Sequence, residues 1–157
     1  MLFRSADHGA PISTVYDLSL DYNHSPLIFY QPAVAGPGKK ITRMAGQIDV
    51  FPSIMGLLNI PFENNTLGIN LFNEERPYIY FNADDKYGVL DQEWLLIVKT
   101  DKSMGLYRYR KDDLTNYKDS YPEVVLRMKD YAESNLQTFQ YLLKNQKIYM
   151  VIHMIIH

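Results

Sequence analysis

Between residues 77 and 110 the apolar positions come in short runs, "PYIYFN", "YGVLD", "EWLLIVKT" and "MGLYRYR", parted by "ADDK", "DQ" and "DKS". Polar turn formers at this spacing predict an antiparallel meander. From Pro122 to about Gln146 the period lengthens: Val125, Met128, Ala132, Leu136, Phe139 and Leu143 recur at three and four, with Lys129, Glu133, Gln137 and Gln140 on the other side. That pattern predicts a long helix covering one face of the meander. Upstream, "MLFRS" and "PLIFYQP" read as strands, and the second, an unalternated run between Pro26 and Pro32, is expected to be buried on both faces. The stretch "AVAGPGKKITRMAG" is a Gly/Pro loop. In "QIDVFPSIMGLLNI", Asp49 can cap, Pro52 falls in the first turn, and Val50, Ile54, Leu57 and Leu58 recur at helical spacing, so a short buried helix is expected there.

Composition narrows this picture. At 157 residues the chain has the length of one α/β domain, and 46% hydrophobic with 22% charged residues is a globular balance. The aromatic residues at strand positions, Tyr78, Tyr80, Phe81, Trp94, Tyr107 and Tyr109, read as the packing surface of a sheet rather than a ligand platform. A formal charge of -2 gives no field favouring nucleic acid, and the basic groups Lys39-Lys40 and Arg108, Arg110, Lys111 are too small for a groove-tracking patch. Nucleic acid is therefore not expected as a partner. The absence of cysteine excludes disulfides, thiolate metal sites and a Cys nucleophile. Neither a signal peptide nor a membrane span of about 18 apolar residues is legible in this chain.

Few residues can carry chemistry. Asp7 and His8 in "SADHGAPIST" follow a strand and precede Gly9, the position where active-site residues of open α/β sheets lie, and carboxylate with imidazole suits a divalent metal such as Zn or Mn. Two ligands do not complete a site. His24, before the second strand, is expected to bond backbone at the strand entrance, with a substrate contact as the other reading. His153 and His157 lie in the apolar tail "IYMVIHMIIH", which has no companion carboxylates. Asp84-Asp85 reads as a turn rather than a calcium loop. Ser5, Ser13 and Thr14 lie near the Asp-His pair, but no His is spaced to make a triad with them, so no activated nucleophile is evident.

Taken in order, "SADHGAPIST", "YNHSPLIFYQP", "AGQIDVFPSIMGLLNIP", "NNTLGINLF" and "LYRYRKDDLTNY" resemble the last part of the sulfatase branch of the alkaline phosphatase superfamily, most nearly its lipoteichoic acid synthase and phosphoglycerol transferase type. The ordered set spans roughly residues 3 to 145. The resemblance implies a partial alkaline-phosphatase-like sheet with a buried helix, followed by a small antiparallel sheet under a long helix. It implies that Asp7 and His8 ligate a divalent metal, Mn or Ca, with Zn as a third candidate, held weakly by this chain alone. The family's "H-x-P-L" strand matches His24 to Leu27, and its "Q-x-D-x-x-P-T" helix matches Gln47 to Ser53, with Ser in place of Thr.

The family's nucleophile, a Thr or a modified Cys or Ser, and its further acidic ligands lie on an N-terminal half that has no counterpart in these residues. The expectation is thus a fragment: residues 1–60 from the main sheet, 61–146 the antiparallel sheet and helix, and 147–157 an apolar tail of unclear origin that looks foreign or frame-shifted. A short helix packed on its own domain, or a dimer contact, is the alternative for that tail. The parent would act on sulfate or phosphate esters, by hydrolysis or phosphoglycerol transfer, on the extracytoplasmic face of a membrane. The fragment alone is expected to be inactive and to self-associate through an exposed sheet edge. A non-catalytic interaction module that keeps the scaffold is the competing expectation.

Overall fold

Short apolar runs and Asp-headed turns between residues 79 and 107 produce the sheet that organises the molecule. In the computed structural model, which describes residues 2–10, 15–30, 37–38, 40–147 and 150–152, the element order is β1 (Leu2–Ser5), α1 (Leu20–Asn23), β2 (Leu27–Tyr30), α2 (Val50–Leu58), β3 (Phe62–Asn64), β4 (Ile79–Ala83), β5 (Lys86–Leu90), β6 (Leu95–Lys99), β7 (Met104–Tyr107), α3 (Pro122–Lys144) and β8 (Met150–Ile152). Strands β4 to β7 form an antiparallel sheet in sequence order, with Tyr80 opposite Val89, Val89 opposite Leu96, and Leu96 opposite Leu106. The connections have the chemistry of tight turns. Asp84 and Asp85 turn between β4 and β5, the Asp91 carboxylate accepts from the Glu93 and Trp94 amides, and Asp101 accepts from Ser103.

Both faces of β6 are covered, which is why "LLIV" does not alternate. Leu96 and Val98 join Val89, Trp94 and Leu106 against Val124, Val125, Met128 and Ala132 of α3. Leu95 and Ile97 point the other way, onto Tyr16 and Leu18. Those two residues belong to a connection that reads as polar, and Asp17 between them is held by Lys86 and Lys99. Hydrogen bonds from Lys99 and Lys86 keep the Asp17 carboxyl below its usual range. The aromatic residues pack as a sheet surface should: Trp94 lies on Tyr121 at 4.8 Å, and Arg108 is tucked over the Trp94 ring at 4.9 Å.

Helix α3 covers one face of the sheet, but only with its first half. Leu136, Phe139 and Leu143, which share the apolar stripe, remain 38, 45 and 54% exposed. The reason is length. A helix of 23 residues is about 34 Å long at about 1.5 Å per residue, whereas four strands about 4.8 Å apart make a sheet only about 15 Å across.

Two other expectations of burial are corrected. Among the described residues strand β2 pairs only with β1, antiparallel, with Phe3 opposite Phe29, and its outer face is open to solvent. Ile28 and Tyr30 are therefore 56 and 58% exposed, while Leu27 and Phe29 are half-buried. Helix α2 is buried along Pro52, Ser53 and Met55 rather than along the expected apolar stripe, and Leu57 and Leu58 face solvent. It ends at Asn59, whose left-handed backbone (φ 52°) closes the last turn. In the C-terminal tail, residues 150–152 form a strand rather than a helix, with β8 pairing antiparallel to β3. Among the described residues no helix is long and apolar enough to cross a membrane.

One group in the core should be felt at high pH. The Tyr87 hydroxyl is buried without a hydrogen-bond partner among the described residues, and burial, with the Glu133 carboxylate and Tyr80 adding to it, pushes its pKa up to about 12 from an ordinary 10.0. A folded value above the unfolded one contributes stability that is whole below pH 10 and is lost as pH rises through 12. Alkaline unfolding should fall in that window. Tyr87→Phe should be as stable as the parent at neutral pH, because it removes an unsatisfied hydroxyl, and less sensitive above pH 10. Denaturant midpoints at pH 7 and pH 11 check both points.

Candidate functional site

The loop that leaves β1 carries Asp7, His8 and Gly9, and three separate contacts hold it. The Gly9 amide donates to the Tyr22 carbonyl (2.7 Å), and the His8 ring stacks on Tyr22 with centroids 4.6 Å apart. A Cβ at Gly9 would run into the Asp21 carbonyl oxygen, so only glycine permits this approach. From the opposite side, Gln47 Nε2 donates to the carbonyls of Ala6 (3.0 Å) and Asp7 (2.7 Å). Segments 40 residues apart in sequence thus meet at the end of β1.

Within the loop the Asp7 carboxylate and the His8 imidazole lie side by side. His8 Nδ1 lies 2.8 Å from the Gly9 carbonyl oxygen, which can only accept, so Nδ1 donates to it, and in the neutral ring Nε2 is the nitrogen with the lone pair. Nε2 is 3.8 Å from Asp7 Oδ2, a separation that one divalent ion can bridge with metal–ligand distances near 2.1 Å. The His8 amide donates to the other Asp7 oxygen (3.0 Å) and orients the carboxylate. Both side chains open to solvent, at 90% for Asp7 and 50% for His8. Among the described residues no group of three or more His, Asp or Glu side chains comes together, so this edge offers two ligands.

His24 is exposed and stands at the C-cap of α1, its backbone amide donating to the Asp21 carbonyl at 3.4 Å. Ser5 donates to the neighbouring Ala6 carbonyl. Ser13, Thr14, His153 and His157 lie outside the described residues.

Asp49 departs most from expectation. Its carboxylate does not cap α2; it bonds back to the Gly46 amide (2.8 Å) across the turn Gln47–Asp49, and across to the Ile69 amide (2.9 Å). Arg76 meets it from the far side as a fork, Nε to Oδ2 at 2.9 Å and Nη2 to Oδ1. The same guanidinium donates to the Leu67 carbonyl and to the Tyr131 hydroxyl, both at 3.1 Å. Burial works against the Arg76 charge, and the bonded Asp49 carboxylate outweighs it, holding its pKa above the ordinary arginine value. Ser53 does comparable work: its hydroxyl donates to the Asp49 carbonyl (2.6 Å) and accepts from the Leu71 amide (3.0 Å). The turn bearing Gln47 is therefore locked from below. Arg76 and Tyr131 were not legible as site residues, although a carboxylate so close to an apolar helix signals that a cation must come from elsewhere.

A scan against protein-family models and a search of the curated proteins return no match to this chain.

Proposed function

We propose that this chain is the C-terminal portion of a metal-dependent, sulfatase-type domain with a partial alkaline-phosphatase-like fold, in which Asp7 and His8 supply two ligands to a divalent cation, Mn or Ca. One observation carries the reading: two motifs of the resemblance, "DHG" and "Q-x-D-x-x-P-S", meet at one loop, through Gln47 on the Ala6 and Asp7 carbonyls, and Gly9 ties that loop to Tyr22, two residues before the "H-x-P-L" segment. The chemistry of the pair supports it, with His8 Nδ1 tied to a carbonyl so that Nε2 and an Asp7 oxygen face the same space. The β1–β2 pair supports the fragment aspect, since its apolar Ile28 and Tyr30 stand uncovered as they would in a strand taken from a larger sheet. A cation held there stabilises charge on a phosphoryl or sulfuryl oxygen. The parent would act on sulfate or phosphate esters, phosphoglycerol transfer among them, on the extracytoplasmic face of a membrane.

Titration with Mn2+, followed by the electron paramagnetic resonance of the free ion, tests the assignment. Weak uptake is expected, abolished by Asp7→Ala or His8→Ala and kept by His24→Ala. Uptake unchanged in the Asp7→Ala/His8→Ala double variant would falsify it. With two ligands and no activated oxygen beside them among the described residues, the chain should not release product from an aryl phosphate or sulfate ester with Mn2+ or Ca2+.

The exposed stripe Leu136, Phe139 and Leu143 favours a second reading, an interaction module that retains the scaffold. Self-association then runs through α3 rather than through the β1–β2 edge. Light scattering should give a mass above the 18.3 kDa of one chain, restored to one chain by Phe139→Glu but not by Ile28→Glu.

A further inference from the structure

We propose that Gln47 is the positioning residue of the Asp7–His8 loop, fixing the directions from which the Asp7 carboxylate and the His8 imidazole meet a cation; this rests on the cation reading above. Both groups that Gln47 touches, the Ala6 and Asp7 carbonyls, accept only, so the side chain must present its NH2 to them. Two bonds to successive carbonyls fix the peptide plane between Ala6 and Asp7, and with it the bond from which the Asp7 side chain projects. Gln47 also has a rigid base. It opens the turn whose third residue, Asp49, is fully buried and bonded to Gly46, Ile69 and Arg76. Among the described residues Gln47 is the one side chain distant in sequence that bonds the exposed loop's carbonyls, so the loop takes its register from it. On the far side Tyr22 supplies the rest, through the Gly9 bond and the stack with His8.

A role in holding backbone is separable from a role in charge. Gln47→Glu keeps the shape and adds a negative charge near the cation, which on electrostatic grounds alone should tighten binding. A carboxylate cannot donate to the two carbonyls, however, so a positioning role demands the opposite. Gln47→Leu removes the donors without adding charge. Because Gln47 is exposed, both variants should fold, and the melting temperature of each checks that they do.

The experiment compares the full chain with Gln47→Leu and Gln47→Glu by Mn2+ titration and by amide hydrogen exchange at His8 and Gly9. Expected are a loss of Mn2+ affinity on the order of 10- to 100-fold in both variants, as for other groups that orient metal ligands, and faster Gly9 exchange in both without added metal. Unchanged exchange at Gly9 overturns the proposal, as does tighter Mn2+ binding by Gln47→Glu. Faster exchange in the variants of a chain that takes up no Mn2+ upholds the holding role of Gln47 and overturns the cation reading instead.

Discussion

Arg76→Ala should destabilise the fold by about 3–5 kcal/mol, the usual cost of leaving one partner of a buried ion pair unpaired. Asp49 is 0% exposed, and with Arg76 gone its carboxylate keeps only the Gly46 and Ile69 amides. Two amide bonds do not offset the loss of a full countercharge and of water together. The damage spreads because one guanidinium bonds Asp49 just before α2, the Leu67 carbonyl and Tyr131 of α3. Arg76→Lys should fall between parent and alanine variant, since a lysine keeps the charge but not the fork. Asp49→Asn combined with Arg76→Met should cost less than Arg76→Ala alone, because it leaves no unpaired charge. Urea unfolding followed by the fluorescence of Trp94 reads all three. A loss below about 1 kcal/mol for Arg76→Ala would place the Asp49 carboxylate within reach of water.

Met128→Ala should cost about 2–5 kcal/mol, by the transfer of the lost atoms and the cavity they leave. Met128 is fully buried in the cluster that joins α3 to Leu96, Val98 and Leu106. Fully buried Leu96 and Leu106 sit on strands held on both sides or bonded in the ladder, so the site has little freedom to collapse. The same helix provides the control. Leu126→Ala and Leu143→Ala, at positions 58 and 54% exposed, should change stability by no more than about 0.5 kcal/mol. Equal losses at Met128 and Leu143 would mean that something covers the second half of α3.

Legibility in the sequence followed the range of the forces involved. The meander was readable because each turn is written locally, by Asp84-Asp85, Asp91 and Asp101, and each strand by its own residues. The covering helix was readable for its existence and its apolar face, since helical period is also local, but not for where its cover ends. The stripe through Leu136, Phe139 and Leu143 is the same in sequence as the part through Val125 and Met128; only the width of the sheet distinguishes them. The connection through Asp17 and Asp21 reads as polar from its charges, and only the fold turns Tyr16 and Leu18 onto the second face of β6.

At the candidate site the sequence by itself determined the donors. A carboxylate and an imidazole beside a glycine, a glutamine two places before an aspartate and five before a proline, and a histidine before an apolar strand are matters of residue type. Tertiary structure decided what each of them does. It turned Asp49 from a cap into half of a buried pair and set Gln47 on carbonyls 40 residues away. The reason is physical. A hydrogen-bond donor or a charge states only that it needs a partner, and where partners are distant in sequence, as with Arg76 and Asp49, the fold alone brings them within 3 Å.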